Sequence, residues 1–204
     1  MPHQLFTIGY CVYSLDNFIS TLRNANVNAV VDVRASPEIS HFHEYKGRNI
    51  SLTLKEANIH YLSFARELGA RPQDKSLYTD GKVDFGKMEQ SGDFQSGCTR
   101  LKQGMDKGYR ICLMCAQKDP LNCHRGVLIA NIMRKKYPEL KIMHIWPDFM
   151  ESQQDLDKRA LKIFKKERYA SALLSYIKDS NLPELDQAYA YLGEKIAYRP
   201  EQGV

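Results

Sequence analysis

The run Tyr109–Cys115 (YRICLMC) is nearly continuous in apolar character, and it limits the fold more than any other segment. A strand reads this way when both faces are buried, the condition of a parallel sheet covered by helices on two sides. Leu5–Tyr10 (LFTIGY), Asn28–Arg34 (NAVVDVR) and Lys141–Ile145 (KIMHI) are further apolar runs of strand length. His60–Phe64 is a third candidate strand in chain order, although its short pattern fits either type. Helical spacings lie between them. Leu15, Phe18, Ile19 and Leu22 follow Ser14, a good N-cap, and Ile50–Asn58 forms a short helical stretch. Phe94, Cys98, Leu101 and Met105 recur up to a stop at Gly108, and Val127, Leu128, Ile132 and Met133 follow a capping Asn122. This alternation predicts an α/β fold of three layers, a mostly parallel, doubly wound sheet with helices on both faces.

Two segments depart from the alternation. Arg71–Gly92 carries Pro, Gly, Asp and Ser and reads as a long excursion over the surface. After Pro147 only helical spacings remain: Leu156, Ala160 and Ile163; Tyr169, Ala172, Leu173, Tyr176 and Ile177; Leu185, Tyr189, Leu192 and Ile196. The expected organisation is a core over residues 1–150 with a helical extension over 151–204 packed on it.

Composition narrows the class. The 204 residues suffice for one sizeable domain, and 43% hydrophobic with 26% charged residues are globular values. No apolar run approaches the ~18 residues that span a bilayer. Met1–Tyr10 shows no basic region followed by an apolar stretch, so no secretory signal and a cytoplasmic location are expected. In a reducing compartment the five cysteines read as thiols, core residues or ligands, not as a disulfide framework. The net charge of +5 tolerates a small anionic ligand or nucleic acid as partner but requires neither, and no membrane partner is expected.

Ligands of open parallel sheets bind outside the carboxyl ends of the strands. Three predicted strands end there at Gly9-Tyr10-Cys11, at Asp32-Val33-Arg34 and at Cys115. The segment Leu113–Arg125 (LMCAQKDPLNCHR) is the densest in chemistry: a helix beginning near Asn122 would carry Cys123, His124 and Arg125 in its first turn. Unpaired N–H groups and the positive helix end favour an anion there and lower the pKa of a nearby thiol. Arg125 adds a guanidinium suited to phosphate or carboxylate. The catalytic candidates are therefore Cys115, Cys123, His124 and Asp32, and the substrate-binding candidates are Gly9, Tyr10, Arg34, His41, Gln117 and Arg125. Plainer roles stay open: Cys115 as a small core residue, His124 bonded to a loop carbonyl, Asp32 and Arg34 as a structural ion pair.

Zinc is the chemical rival. Cys115, Cys123 and His124 offer three soft ligands, with His41 or His43 as a fourth. Against it, seven residues separate the two cysteines and no C-x-x-C pair is present. Adjacent Cys123 and His124 on a helix would also point about 100° apart. No cofactor is predicted. The loop Ser36–Arg48 (SPEISHFHEYKGR) follows Arg34 and reads either as a cover for a ligand or as solvated surface. Lys158, Arg159, Lys162, Lys165, Lys166 and Arg168 form a basic face, suited to a nucleic-acid backbone or simply to solvent.

With these residues laid out, the sequence resembles the family called domain of unknown function 488. The likeness runs through Thr7-Ile8-Gly9-Tyr10, Val31-Asp32-Val33-Arg34, Pro37, Leu68-Gly69, Leu77-Tyr78 and Arg100-Leu101. It continues through Leu113-Met114-Cys115-Ala116, Asp119-Pro120, Cys123-His124-Arg125 and His144-Ile145. The resemblance implies an α/β sandwich similar to Rossmann-type folds, with the Asp-Val-Arg and Cys-His-Arg segments at the family's site. It implies no reaction. It also leads one to expect glutamate where Gln117 stands and serine where Cys11 stands. Three readings follow: an enzyme on an anionic substrate, a non-catalytic nucleotide or nucleic-acid binding module, and a zinc-stabilised scaffold.

Overall fold

A computed structural model describes residues 3–167 and 182–200. The five predicted strands join one sheet, β1 (Gln4–Gly9), β2 (Ala29–Asp32), β3 (His60–Ser63), β6 (Ile111–Cys115) and β7 (Lys141–Ile145), to which β8 (Met150–Ser152), where only helical spacing was expected, adds a short edge. Their order is β3-β2-β6-β1-β7-β8, parallel except for the antiparallel edge strand β8. The fold is thus α/β with a six-stranded, mostly parallel sheet. All five residues of β6 are buried, as its apolar run requires at the centre of a covered sheet.

Alternate side chains feed two cores. Phe6, Ile8, Val30, Cys112 and Met114 pack under α1 (Leu15–Asn24) and α2 (Gly47–Glu56). Ser14 caps α1 as expected, its side chain accepting from Asn17 N. Leu5, Val31, Leu113 and Cys115 face the other way, toward α3 (Ala65–Leu68), α5 (Gly92–Asp106) and the chain after β6. A third core joins Leu121 and Val127 to α7 (Gln153–Glu167) and α8 (Glu184–Ile196) through Leu156, Phe164, Tyr189 and Leu192. The helical spacing over Tyr169–Ile177 lies outside the described residues. Among the described residues no helix is long and apolar enough to cross a membrane.

Two expectations need correction. Arg71–Gly92 is not a bare surface excursion: it folds into the hairpin β4 (Tyr78–Thr79) and β5 (Lys82–Val83), then α4 (Phe85–Gln90). Val83 and Met88 enter the core, two apolar anchors that the polar composition of the segment obscures. Nor does a helix start at Asn122. A 3-10 turn over Pro120–Asn122 precedes Cys123, whose backbone is extended at φ −146, ψ 139. A π turn over Arg125–Ala130 then leads into α6 (Asn131–Lys136).

A buried polar chain ties the sheet to the C-terminal helices. Thr7 Oγ1 lies 2.9 Å from His144 Nδ1, and His144 Nε2 lies 3.1 Å from Gln153 Oε1. Gln153 Nε2 donates in turn to Asp157 and to Tyr189 OH, each at 2.8 Å. The amide oxygen can only accept, so Nε2 carries a proton, and in the neutral ring Nδ1 accepts from Thr7. Burial, reinforced by the Arg125 and Arg159 charges, drives the His144 pKa down to about 3.

At the end of β1, the chain after β6 lies directly on Gly9. A Cβ built there would sit 1.9 Å from Gln117 O, a backbone atom. Gly9→Ala should therefore lower the free energy of unfolding by about 1–3 kcal/mol, read from urea denaturation at unchanged m-value. A variant as stable as the parent would show that residues 116–118 yield freely. The second prediction concerns pH. The unfolded chain takes up a proton at His144 below its ordinary value of 6.5, whereas the native state resists until about 3. Stability should therefore fall with pH through that window, by at most about 1.4 kcal/mol per pH unit from this group. His144→Gln should show a shallower acid slope than the parent; equal slopes would remove His144 from the account.

Candidate active site

Strand register brings three carboxyl ends level. Gly9 of β1 pairs with Cys115 of β6, and Asp32 of β2 pairs with Met114, so Val33 stands beside Cys115 one residue on. After Cys115 the chain turns back through Asp119, whose carboxylate accepts from Leu121 N at 2.9 Å. Arg159 of α7 clamps that carboxylate with two bonds of 2.8 Å. The carbonyl of Cys123 then accepts from the N–H groups of Gly126 and Val127, both at 3.0 Å. Cys123 thus occupies the capping position before the helical run, not a place within its first turn.

This backbone changes what the side chains do. Because Cys123 is extended, its side chain and that of His124 converge, where two helical neighbours would diverge. Nδ1 of His124 lies 3.8 Å from Cys123 Sγ and 4.0 Å from Cys115 Sγ. The three atoms all fall within 4.8 Å of one another, and all three residues are buried. Nε2 of His124 is 2.8 Å from the carbonyl of Val33, which can only accept. A proton therefore resides on Nε2, and Nδ1 is the ring atom that faces both sulfurs.

Arg125 supplies the field. Its side chain is 0% exposed, and NH1 and NH2 donate to the carbonyls of Gln117 and Lys118 at 2.5 and 2.8 Å. Nε has no partner, and the guanidinium forms no ion pair among the described residues. Burial opposes ionisation of Cys123, yet the Cys115 thiol, the Arg125 charge and His124 together hold its pKa well below the ordinary thiol value. Cys115 moves the opposite way, raised by Cys123 and by burial. The two thiols are thus driven apart, Cys123 toward ionisation and Cys115 away from it. Cys98, by contrast, is pushed up to about 11 and Cys112 higher still, both chiefly by burial. Cys11 is exposed.

The same three side chains are the donors that a metal ion would use, with the Val33 carbonyl orienting the imidazole from behind. The fourth ligand expected from His41 or His43 does not join them. Both histidines are exposed in the loop after β2, and His43 faces Asn49 across 3.2 Å.

Asp32, Arg34 and Tyr10 belong to the opposite face of the sheet. Arg34 Nε donates to both Asp32 oxygens at 2.9 and 3.1 Å, and NH2 donates to Oδ2 at 2.5 Å. NH1 reaches the carbonyl of Tyr45 at 2.7 Å and Tyr10 OH at 3.3 Å. Tyr61 OH donates to Asp32 Oδ2 at 2.8 Å. Tyr10 stacks on Tyr45 at 4.4 Å and meets Ser40 Oγ at 3.2 Å. The expected anion clamp at Arg34 thus has its guanidinium engaged by protein acceptors, where it fastens the loop after β2 to the end of β1. A shallow groove lined by Pro37, Glu38, Arg48 and Tyr61 lies on this face, away from the cysteines.

Of the remaining expected residues, Gln117 contributes its carbonyl; its side chain is exposed and hydrogen-bonds to nothing. His41 makes no hydrogen bond. The basic face of α7 is partly neutralised: Lys158 pairs with Asp155, Lys165 with Glu184, and Arg159 with Asp119 and Glu151. Arg168 lies outside the described residues. Sequence reasoning missed Arg159 as the residue that seats the cysteine loop, and Tyr45 and Tyr61 as partners of the Asp32–Arg34 pair. It also missed His144. The signal for His144 was present, since Thr7 and His144 are polar residues inside two apolar strand runs and stand in register.

No curated protein and no solved structure matches the chain. One family model does, that of the domain of unknown function DUF488, over residues 14–132. The matched stretch holds Asp32, Arg34, Cys115, Cys123, His124 and Arg125, and leaves out β1, β7 and both C-terminal helices. Because it spans more than half of the chain, the protein belongs to the DUF488 family.

Proposed function

We propose that the protein is an enzyme that uses the Cys123 thiolate as a nucleophile on a small substrate bearing a phosphate or carboxylate. The observation that carries this reading is the sealed Arg125 guanidinium, which has no carboxylate partner and stands behind two thiols and an imidazole. A buried positive charge without a counter-ion favours a thiolate nearby and attracts an anionic reactant. Cys115 holds the proton that the pair retains. His124, with Nδ1 facing both sulfurs, accepts or returns that proton as the nucleophile is consumed and released. Asp32, Arg34 and Tyr10 act by holding the loop over the strand ends. A nucleic-acid partner draws no comparable support, because much of the α7 basic face is already paired.

The test is site-resolved alkylation against pH on the native protein, with iodoacetate and iodoacetamide compared. Cys123 should label with a midpoint well below ~8.5, the ordinary thiol value, and Cys115→Ser should raise that midpoint. The anionic iodoacetate should react with Cys123 faster than the neutral reagent, by a margin that shrinks with added salt. A Cys123 that titrates as an ordinary thiol, or that labels only after a chelator is added, would overturn the reading.

A further inference from the structure

A nucleophilic cysteine needs only one sulfur, and this site holds two. We infer that Cys115 and Cys123 form a redox couple, a dithiol that reduces a small hydroperoxide and closes to an intramolecular disulfide. The inference takes the Cys123 nucleophile as given and concerns the fate of its second sulfur.

The geometry separates this pair from the other cysteines. The Cys115 and Cys123 sulfurs lie within 4.8 Å of each other and share one imidazole nitrogen, whereas Cys98 and Cys112 stand outside the cluster. A disulfide needs the sulfurs about 2.05 Å apart, so one of them must move. Cys115 is fixed as the last residue of β6, but Cys123 is a single extended residue between two turns, free of any strand ladder. The chain between them is pinned at three consecutive residues: Arg125 holds the carbonyls of Gln117 and Lys118, and Arg159 holds Asp119. Those anchors keep the two sulfurs on one side of the turn.

Burial selects the oxidant. Cys115 is 7% exposed and Cys123 3%, which offers no surface for a protein disulfide to dock on and favours a small-molecule oxidant. Hydrogen peroxide is the simplest reactant that fits. The Cys123 thiolate attacks one peroxide oxygen, an S–O bond forms and the O–O bond breaks. The departing hydroxide takes a proton from water, and Cys123 is left as the sulfenic acid. His124 Nδ1 then removes the proton of Cys115. The Cys115 sulfur attacks the sulfenic sulfur, the S–O bond breaks, and the hydroxyl leaves as water with the proton that His124 held. Two electrons pass from the dithiol to the peroxide, and a small-molecule thiol restores the pair by exchange.

The experiment treats the full-length reduced protein with one equivalent of hydrogen peroxide, blocks free thiols, and reads intact mass and the peptide map. The expected product has lost two hydrogen atoms and carries a Cys115–Cys123 crosslink. Cys115→Ser should stop at the sulfenic acid, with Cys123 trapped by dimedone, and Cys123→Ser should leave Cys115 unoxidised. Both variants are first checked for a native melting curve, and the wild-type result stands alone if either fails to fold. Fast iodoacetate labelling of Cys123 combined with a persistent wild-type sulfenic acid, or with no oxidation, would overturn the redox couple and leave the nucleophile intact. Slow labelling with a crosslink would retain the couple and remove the anionic-substrate reading. Slow labelling without oxidation would sink both.

Discussion

The Arg125 guanidinium is enclosed by the protein with no carboxylate to pair it. A lone charge in such surroundings is costly unless dipoles and a counter-charge answer it. Here the dipoles are the carbonyls of Gln117 and Lys118, and in the function we propose the counter-charge is the Cys123 thiolate. Much of the carboxyl edge follows from that arrangement. The carbonyl of Gln117 must lie close to the end of β1, so the residue beneath it has to be Gly9. The same charge depresses the His144 pKa and so helps to keep neutral the buried chain that joins the sheet to α7 and α8.

Two polar clusters share the strand ends but not a face. The Asp32–Arg34 pair, closed by Tyr10, Tyr45 and Tyr61, is internally satisfied, as buried ion pairs must be to persist. The cysteine cluster is not: an arginine nitrogen lacks a partner and an imidazole nitrogen faces both sulfurs. That contrast is why the proposed chemistry is placed at the cysteine cluster, since a buried polar group left without a partner calls for a use. The contact between the two faces is Val33, a neighbour of Asp32 in sequence and the acceptor for His124 in space.

Much of this was legible in the residues. The near-continuous apolar run of β6 required a sheet covered on both sides, and the Cys-His-Arg triplet announced itself by density. Other features were hidden for physical reasons. Val83 and Met88 sit inside a polar stretch, where composition reports solvent and two anchors are outvoted. Arg159 read as one cation on a basic helix face, because its partner Asp119 lies 40 residues away along the chain.

The amino-acid sequence by itself determined the α/β class, the main strands and the membership of the cysteine cluster, since periodicity and residue type are local properties. Tertiary structure alone decided the geometry of that cluster. A helical Cys123 would have turned its sulfur away from His124, and the extended backbone that brings them together depends on contacts from Pro120, Gly126 and Arg159. Tertiary structure also decided that Asp32 and Arg34 leave the sheet on the face opposite Cys115. That outcome rests on the two-residue period of the strand combined with a register between β2 and β6 that neither strand encodes alone.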